Sequence, residues 1–233
     1  MKKISFLSIF AFLLGFNASA QAPNQQLASN DYAKAFANLM NTKNKIEKTQ
    51  GSPYVFDEWE SGIVVFRGEE GGEFKNIKID LMNNQLEVLY MNTEKVLPAK
   101  DFKMVKLNRP DLNANTFFQK ASDFKYGGKP LEGFAQVTPV GDNFKIVTIH
   151  SVRVIQSSMN AKIVGANHKK RLARDKKTFF LKKGKLYRIK KRKNVYKILT
   201  KKQKKLKAYI SDHDLGVKKE ADLIKILKYY ESM

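Results

Sequence analysis

Between Gly62 and Gln156 the apolar residues recur at every second position or in short unbroken runs, the spacing of β-strands. GIVVFRG, FKNIKIDL, NQLEVLYM and DFKMVKL form a first group, each rich in β-branched and aromatic residues and each bounded by a turn. In the second of these, Phe74, Ile77, Ile79 and Leu81 sit close to strict alternation. GFAQVTPVG and NFKIVTIHSVRVIQ form a second group. Val147, Ile149, Val152, Val154 and Ile155 are nearly continuous, as in a well-buried strand. Glu69–Gly72, Asn83–Asn84 and Gly141–Asn143 supply turn residues tolerant of positive φ. Links this short between neighbouring strands predict an antiparallel meander. TFFLKKGKLYRIKK predicts one more hairpin, turning at Lys182–Lys183–Gly184, with Gly184 in the left-handed position. Phe179 and Leu181 are expected to share a face, and Tyr187 and Ile189 likewise on the return strand.

The period changes on either side of this body. Over Asp31–Lys48, Tyr32, Phe36, Leu39 and Met40 recur at helical spacing after a Ser29 or Asn30 cap. Beyond Thr200, which with Gln203 matches a capping box, Leu206, Tyr209 and Ile210 form one helical stripe. HDLGV breaks it. EADLIKILKYYE then puts Leu223, Ile224, Leu227 and Tyr230 on one side, with Glu220 and Asp222 in the first turn, where the helix dipole favours acids. The expected fold is α+β: an antiparallel β-meander body with an N-terminal helix and C-terminal helices. Its divisions are a signal peptide over 1–20, leader and N-terminal helix over 21–50, β body over 51–192, and a basic helical segment over 193–233 packed on the body.

GSPYVFDEWESGIVVF, the TFFLKKGKLYRIKKRKNVYKIL hairpin and the KKLKAYISDHDLGVKKEADLIKILKYYE tail resemble, in that order, a family of small uncharacterised exported proteins of Bacteroidota-type bacteria. The shared features are the GSPY start, a YF-x-K-x-G-K-like hairpin and a tail with the cadence L-x-x-YI…DLI…YY. The resemblance spans most of Gly51–Tyr230 and implies one exported unit with a β body and helical tail. It carries no catalytic residues, and many lysines here stand where the family has mixed polar positions.

The first residues point the same way. Lys2 and Lys3, the apolar run Phe6–Phe16 and the small-residue site Ala18-Ser19-Ala20 make a complete signal-peptide pattern, with cleavage expected near Ala20. The run is shorter than the roughly 20 residues a membrane span needs, and no later stretch is apolar enough. The expected product is exported and periplasmic, extracellular or envelope-associated, with no transmembrane segment after cleavage. The chain has no cysteine, which excludes disulfides, thiolate chemistry and cysteine-ligated zinc. A hydrophobic fraction of 42% supports a packed core in their place.

Charge changes the picture most. The net charge is +22, and from Lys169 onward 24 Lys and Arg face 6 Asp and Glu. Solvated faces explain where these lysines sit but not why acids are missing among them. The candidate site is therefore a surface for anions, carried by Lys182, Lys183, Arg188, Lys190, Lys191, Arg192, Lys201, Lys202, Lys204 and Lys205. Lysine acts as a point charge without bidentate geometry, so loose, salt-sensitive association is expected. The partners that fit are an anionic polymer, lipopolysaccharide, an anionic membrane surface or an acidic protein.

Other chemistry is thinly represented. No nucleophile-elbow or phosphate-loop motif occurs, and no cofactor is expected. His150, His168 and His213 are too scattered for a metal triad, and Asp212-His213-Asp214 reads as a turn. The acids Asp57, Glu58, Glu60, Glu69, Glu70 and Glu73 read as solvated turn residues, and Tyr54 and Trp59 as structural anchors. The leading expectation is an exported non-catalytic envelope protein. The alternatives are a hydrolase or lyase acting on an acidic polymer, which needs a cleft with opposed carboxylates or a Tyr/His/Arg set, and a purely structural or protein-partner module.

Overall fold

The computed structural model describes residues 41–42, 50–68, 71–155 and 171–233. The expected signal peptide, leader and most of the Asp31–Lys48 helix lie outside these residues. The described residues form thirteen strands: β1 (Asn41–Thr42), β2 (Glu60–Phe66), β3 (Gly71–Asp80), β4 (Gln85–Tyr90), β5 (Thr93–Pro98), β6 (Phe102–Leu107), β7 (Phe117–Lys120), β8 (Lys125–Tyr126), β9 (Lys129–Pro130), β10 (Phe134–Val140), β11 (Phe144–Ile155), β12 (Arg171–Lys182) and β13 (Lys185–Arg188). Three helices follow: α1 (Arg192–Ile198), α2 (Gln203–Asp212) and α3 (Glu220–Ser232). The fold is α+β with a dominant antiparallel sheet.

One sheet holds eleven strands in the order β1-β5-β4-β3-β2-β6-β7-β10-β11-β12-β13, and β8–β9 is a separate hairpin. Two runs of consecutive strands, β2–β5 and β10–β13, are joined at β2 through β6 and β7. Four strand spacings of about 4.8 Å would set β5 and β6 roughly 19 Å apart in a flat sheet. Only residues 99–101 join them, a reach of about 15 Å at 3.8 Å per Cα step. The sheet therefore curls. Residues 50–57 reinforce the curl by bridging distant strands: Gln50 pairs with Arg171 on β12, and Tyr54 with Asp80 on β3. Arg174 of β12 then reaches Asp57 with two parallel contacts of 3.2 Å.

Curling encloses one apolar cluster, in which Ile77, Ile79, Leu86, Val88, Leu97 and Phe102 pack with Phe118 and Phe134. A second cluster lies at the far end of β10–β12. There Val140, Phe144, Ile146 and Phe180 meet Leu206, Ile210, Leu223, Ile226 and Leu227 of the helices. On the reverse face of the same strands, Val137, Val147, Ile149 and Phe179 lie under the β8–β9 region, with the Tyr126 ring 5.1 Å from that of Phe179. β11 is thus covered on both faces only as far as His150; Val154 and Ile155, which end its apolar run, are 44% and 42% exposed, against the expectation of a well-buried strand.

Several local expectations need correction. Asn41 and Thr42, inside the stretch expected to be helical, pair with Val96 and Lys95 as β1. The Thr200–Gln203 capping box does not form. Lys202, at φ 45°, is the N-cap, and the Gln203 amide donates instead to Tyr196 O at 2.8 Å, tying α2 to α1. Short strands β5, β7, β8 and β9 and the first half of β12 lack the alternation that marks their neighbours. Helix α1 was hidden in the basic run. Its N-cap is Lys191, and Asn194 in the first turn reaches back, its Oδ1 accepting the Lys190 and Lys191 amides at 3.1 and 2.9 Å.

The β12–β13 turn uses two left-handed residues, Lys183 at φ 48° and Gly184 at φ 74°. This mirror-image turn matches strand twist and fixes Phe180 opposite Tyr187 and Leu181 opposite Leu186. Phe179 and Leu181 share one face, while Tyr187 and Ile189 lie on the other, with Phe180. Gly133, at φ 92°, opens β10; a Cβ there would lie 2.1 Å from His150 O, so only glycine allows β10 to lie against β11 at that point.

Phe180 is fully buried between sheet and helices, whereas Asn194 acts only locally. Phe180→Ala is expected to cost about 3–5 kcal/mol in urea denaturation, and Asn194→Ala, which removes local hydrogen bonds, about 0.5–1.5 kcal/mol. Equal costs would show that the helices do not depend on the sheet for their stability.

Candidate functional site

Between the two apolar clusters, on the same sheet face, the alternation of β10 and β11 turns polar. Gln136, Thr138, Thr148 and His150 occupy positions that point inward, and all four are buried. Glu220, the first residue of α3, comes down onto them. His150 Nε2 lies 2.9 Å from Gln136 Oε1, and Gln136 Nε2 donates to Glu220 Oε2 at 2.7 Å. The Thr138 hydroxyl donates to Glu220 Oε1, so Thr116, 2.8 Å away, must be the donor to Thr138. Burial pushes the His150 imidazole down to about 3, helped by the positive charges of Lys176 and Arg174. It is therefore neutral at pH 7, and its Nε2 proton is the one given to Gln136. The chain His150–Gln136–Glu220 thus has a single direction and ends on a carboxylate.

Burial raises the Glu220 pKa; the Thr138 hydrogen bond and Lys176 pull it the other way. The arrangement pins the start of α3 to β10. Its far end is pinned too, where Glu231 accepts the Asn143 amide at 3.1 Å and the Tyr230 ring meets Phe144 edge-on at 5.9 Å.

Beside this seam opens a cleft of about 680 Å³. Phe56 and residues 111–113 form one wall, residues 217–224 the other, and Gln136, Thr148 and Thr178 the floor. Lys176, Lys190 and Lys218 line it with Arg188. Asp111, on the first wall, is held by Arg109, which also pairs with Glu60 and keeps the Asp111 carboxyl below its ordinary range. A second cavity, of about 540 Å³, runs along β13 between Tyr126 and α1, and contains Lys185, Tyr187, Arg188, Lys190 and Lys197. Arg188 and Lys190 belong to both cavities.

The ten candidate cations divide accordingly. Arg188 and Lys190 are brought together at the cavities. Arg188 lies over the Phe179 ring at 5.0 Å, and its Nε and Nη1 are out of solvent with no hydrogen-bond partner among the described residues. That desolvation lowers its pKa, with Asp175 and Tyr126 opposing. Lys182 is half-buried over the Phe144 ring at 5.2 Å. Lys183 is exposed at the hairpin turn, and Lys191 lies exposed just before α1. Arg192 opens α1 and pairs with Asp214 at 3.5 Å. Lys201, Lys202, Lys204 and Lys205 are exposed on and before α2 and line neither cavity; Lys202 donates to the terminal Met233 O.

Sequence reasoning passed over Lys176, Lys185, Lys197, Lys218 and the Gln136–Glu220 contact. The available signal was the polar alternation of Gln136 and Thr138 with Thr148 and His150 inside otherwise apolar strands. Among the described residues no three His, Asp or Glu side chains converge where a metal ion would sit, and no helix is long and apolar enough to cross a membrane. Comparison with protein families, with curated proteins and with solved structures found no match.

The buried imidazole sets a pH dependence. Its folded pKa is below its unfolded value of 6.5, so between about 6.5 and about 3 the unfolded chain binds the extra proton. Stability from this group is present above that window and lost as pH falls through it, at up to about 1.4 kcal/mol per pH unit. Glu220, raised above 4.5, acts oppositely: its contribution is present at low pH and lost as pH rises through its folded pKa. Subtracting a His150→Gln curve from the wild-type one isolates the histidine. Urea midpoints between pH 4 and 7 should show the wild type losing roughly 3 kcal/mol more than the variant; parallel curves would mean that His150 is charged in the folded protein.

Proposed function

We propose that this protein is an exported, non-catalytic envelope protein that holds anionic partners at the basic end of its sheet, by charge more than by shape. The observation that carries this reading is the poverty of acids around the cations of the last third. Among the described residues, the side-chain carboxylates within 4 Å of any Lys or Arg beyond residue 170 are Asp57, on Arg174, and Asp214, on Arg192. Two adjoining cavities share Arg188 and Lys190 and present ammonium, guanidinium and hydroxyl donors. Like charges so placed repel one another, and an acidic counterpart relieves that repulsion.

Binding is favoured over hydrolysis or elimination on an acidic polymer by the state of the titratable groups in the cleft. Both Glu220 oxygens are engaged by Gln136 and Thr138, Asp111 by Arg109, and His150 is 2% exposed. General acid–base work needs a group within reach of the substrate's proton. Export rests on the n-, h- and c-region pattern of residues 1–20 and on the family resemblance.

A heparin column and anionic vesicles should retain the mature protein beyond physiological ionic strength, about 0.15 M. Replacing Lys190, Lys191, Lys201 and Lys205 together by Glu should abolish retention with thermal stability unchanged or raised. Elution below physiological salt, or retention of the fourfold variant, overturns the proposal.

A further inference from the structure

β13 is the last strand of the eleven, and its outer edge borders the 540 Å³ cavity. The register settles which backbone groups that edge offers. The Ile189 amide donates to Thr178 O at 2.9 Å, so Thr178 and Ile189 form a hydrogen-bonded pair. Antiparallel pairs alternate, which makes Phe180–Tyr187 and Lys182–Lys185 the other bonded pairs. The N–H and C=O groups of Leu186 and Arg188 therefore point away from β12, and among the described residues they have no backbone partner. Around this edge stand Lys185, Lys190 and Lys197, with Tyr126 and Tyr187, and among the described residues no carboxylate lines the cavity.

Edge strands commonly carry lysine to discourage pairing with other chains. That accounts for exposed Lys185 but not for Arg188, whose half-withdrawn guanidinium leaves two donor nitrogens without a partner. An unpaired edge combined with unshared positive charge matches strand addition, in which main-chain hydrogen bonds give affinity and flanking pockets select side chains.

We propose that the free edge of β13 captures an acidic, extended peptide segment, which adds a strand to the sheet and sets its carboxylates against Lys185, Arg188, Lys190 and Lys197. This rests on the reading of the basic end as a binding surface, and it narrows the anion to a polypeptide. Four residues of β13 offer about 13 Å of edge at roughly 3.3 Å per residue, enough for a tetrapeptide core.

The test uses the mature chain and a fluorescein-labelled peptide that repeats two Glu and two Val, which puts carboxylates on both faces of an added strand. A second peptide of the same sequence is N-methylated at its four central residues, which keeps charge and removes the donors. Anisotropy should show at least tenfold weaker binding of the methylated peptide, and at least tenfold weaker binding of the first peptide to a Lys185→Glu/Lys197→Glu variant. Backbone hydrogen exchange should slow at the Leu186 and Arg188 amides when the first peptide is bound, a readout independent of any variant's folding. Equal binding of the two peptides, or unchanged exchange at those amides, overturns strand addition while heparin retention keeps the wider reading alive. Loss of heparin retention as well removes both.

Discussion

The carboxylate of Glu220, held against β10 by Gln136 and Thr138, is the contact on which the arrangement of this molecule turns. It joins residues more than eighty positions apart in the chain and places a negative charge where water is largely excluded. Such a group is costly to bury unless its hydrogen bonds are made. Here they are made by a chain that begins at neutral His150 and by a threonine pair, and this fixes the start of α3 over the sheet. With Tyr230 and Glu231 fixing the other end, the helix lies along the sheet in one position. Ile226 and Leu227 then fall onto Phe144, Ile146 and Phe180. The cleft is the space left between that helix and residues 111–113.

The seam also separates two cores of different origin. One is enclosed by curling, which the three-residue link between β5 and β6 forces on the sheet. The other is made by covering the open end of β10–β12 with helices. Polar residues between them give a unique docking geometry where a continuous apolar surface would allow the cap to slide. Buried polar groups act as registration devices of this kind in other settings.

Outside the seam, the electrostatics follow from what the helices leave exposed. Their apolar stripes face the sheet, so lysine fills the remaining positions of α2 and the links around α1. Among the described residues, acids from the β body pair with cations of this region only at Asp57, on Arg174, and Asp214 lies on Arg192. Lysine suits a loosely specific surface, because a flexible ammonium adapts to many anions. Arg188 differs: planar, stacked on Phe179 and partly withdrawn from solvent, it marks the place where the basic face becomes a cavity.

Much of the fold is legible in one dimension. Alternation marked β3, β4, β6 and β10, the Gly141 and Gly184 turns marked two hairpins, and the helical stripe of Leu223, Leu227 and Tyr230 marked α3. These are local properties, set by side-chain period and backbone preference. The charge surplus is likewise a matter of counting. Strands of two to four residues such as β7 and β8 carry too few positions to show a period, and α1 was masked by the cations at its exposed sites, Arg192, Lys193 and Lys197. The Thr200 cap failed because Gln203 found a better partner in Tyr196 O. Only the tertiary structure decided that Glu220 meets Gln136, that Arg109 reaches Glu60, and that Arg174 reaches Asp57. Each of these depends on how the sheet curls and where α3 lands, and no spacing along the chain encodes the distance between residues that only folding brings together.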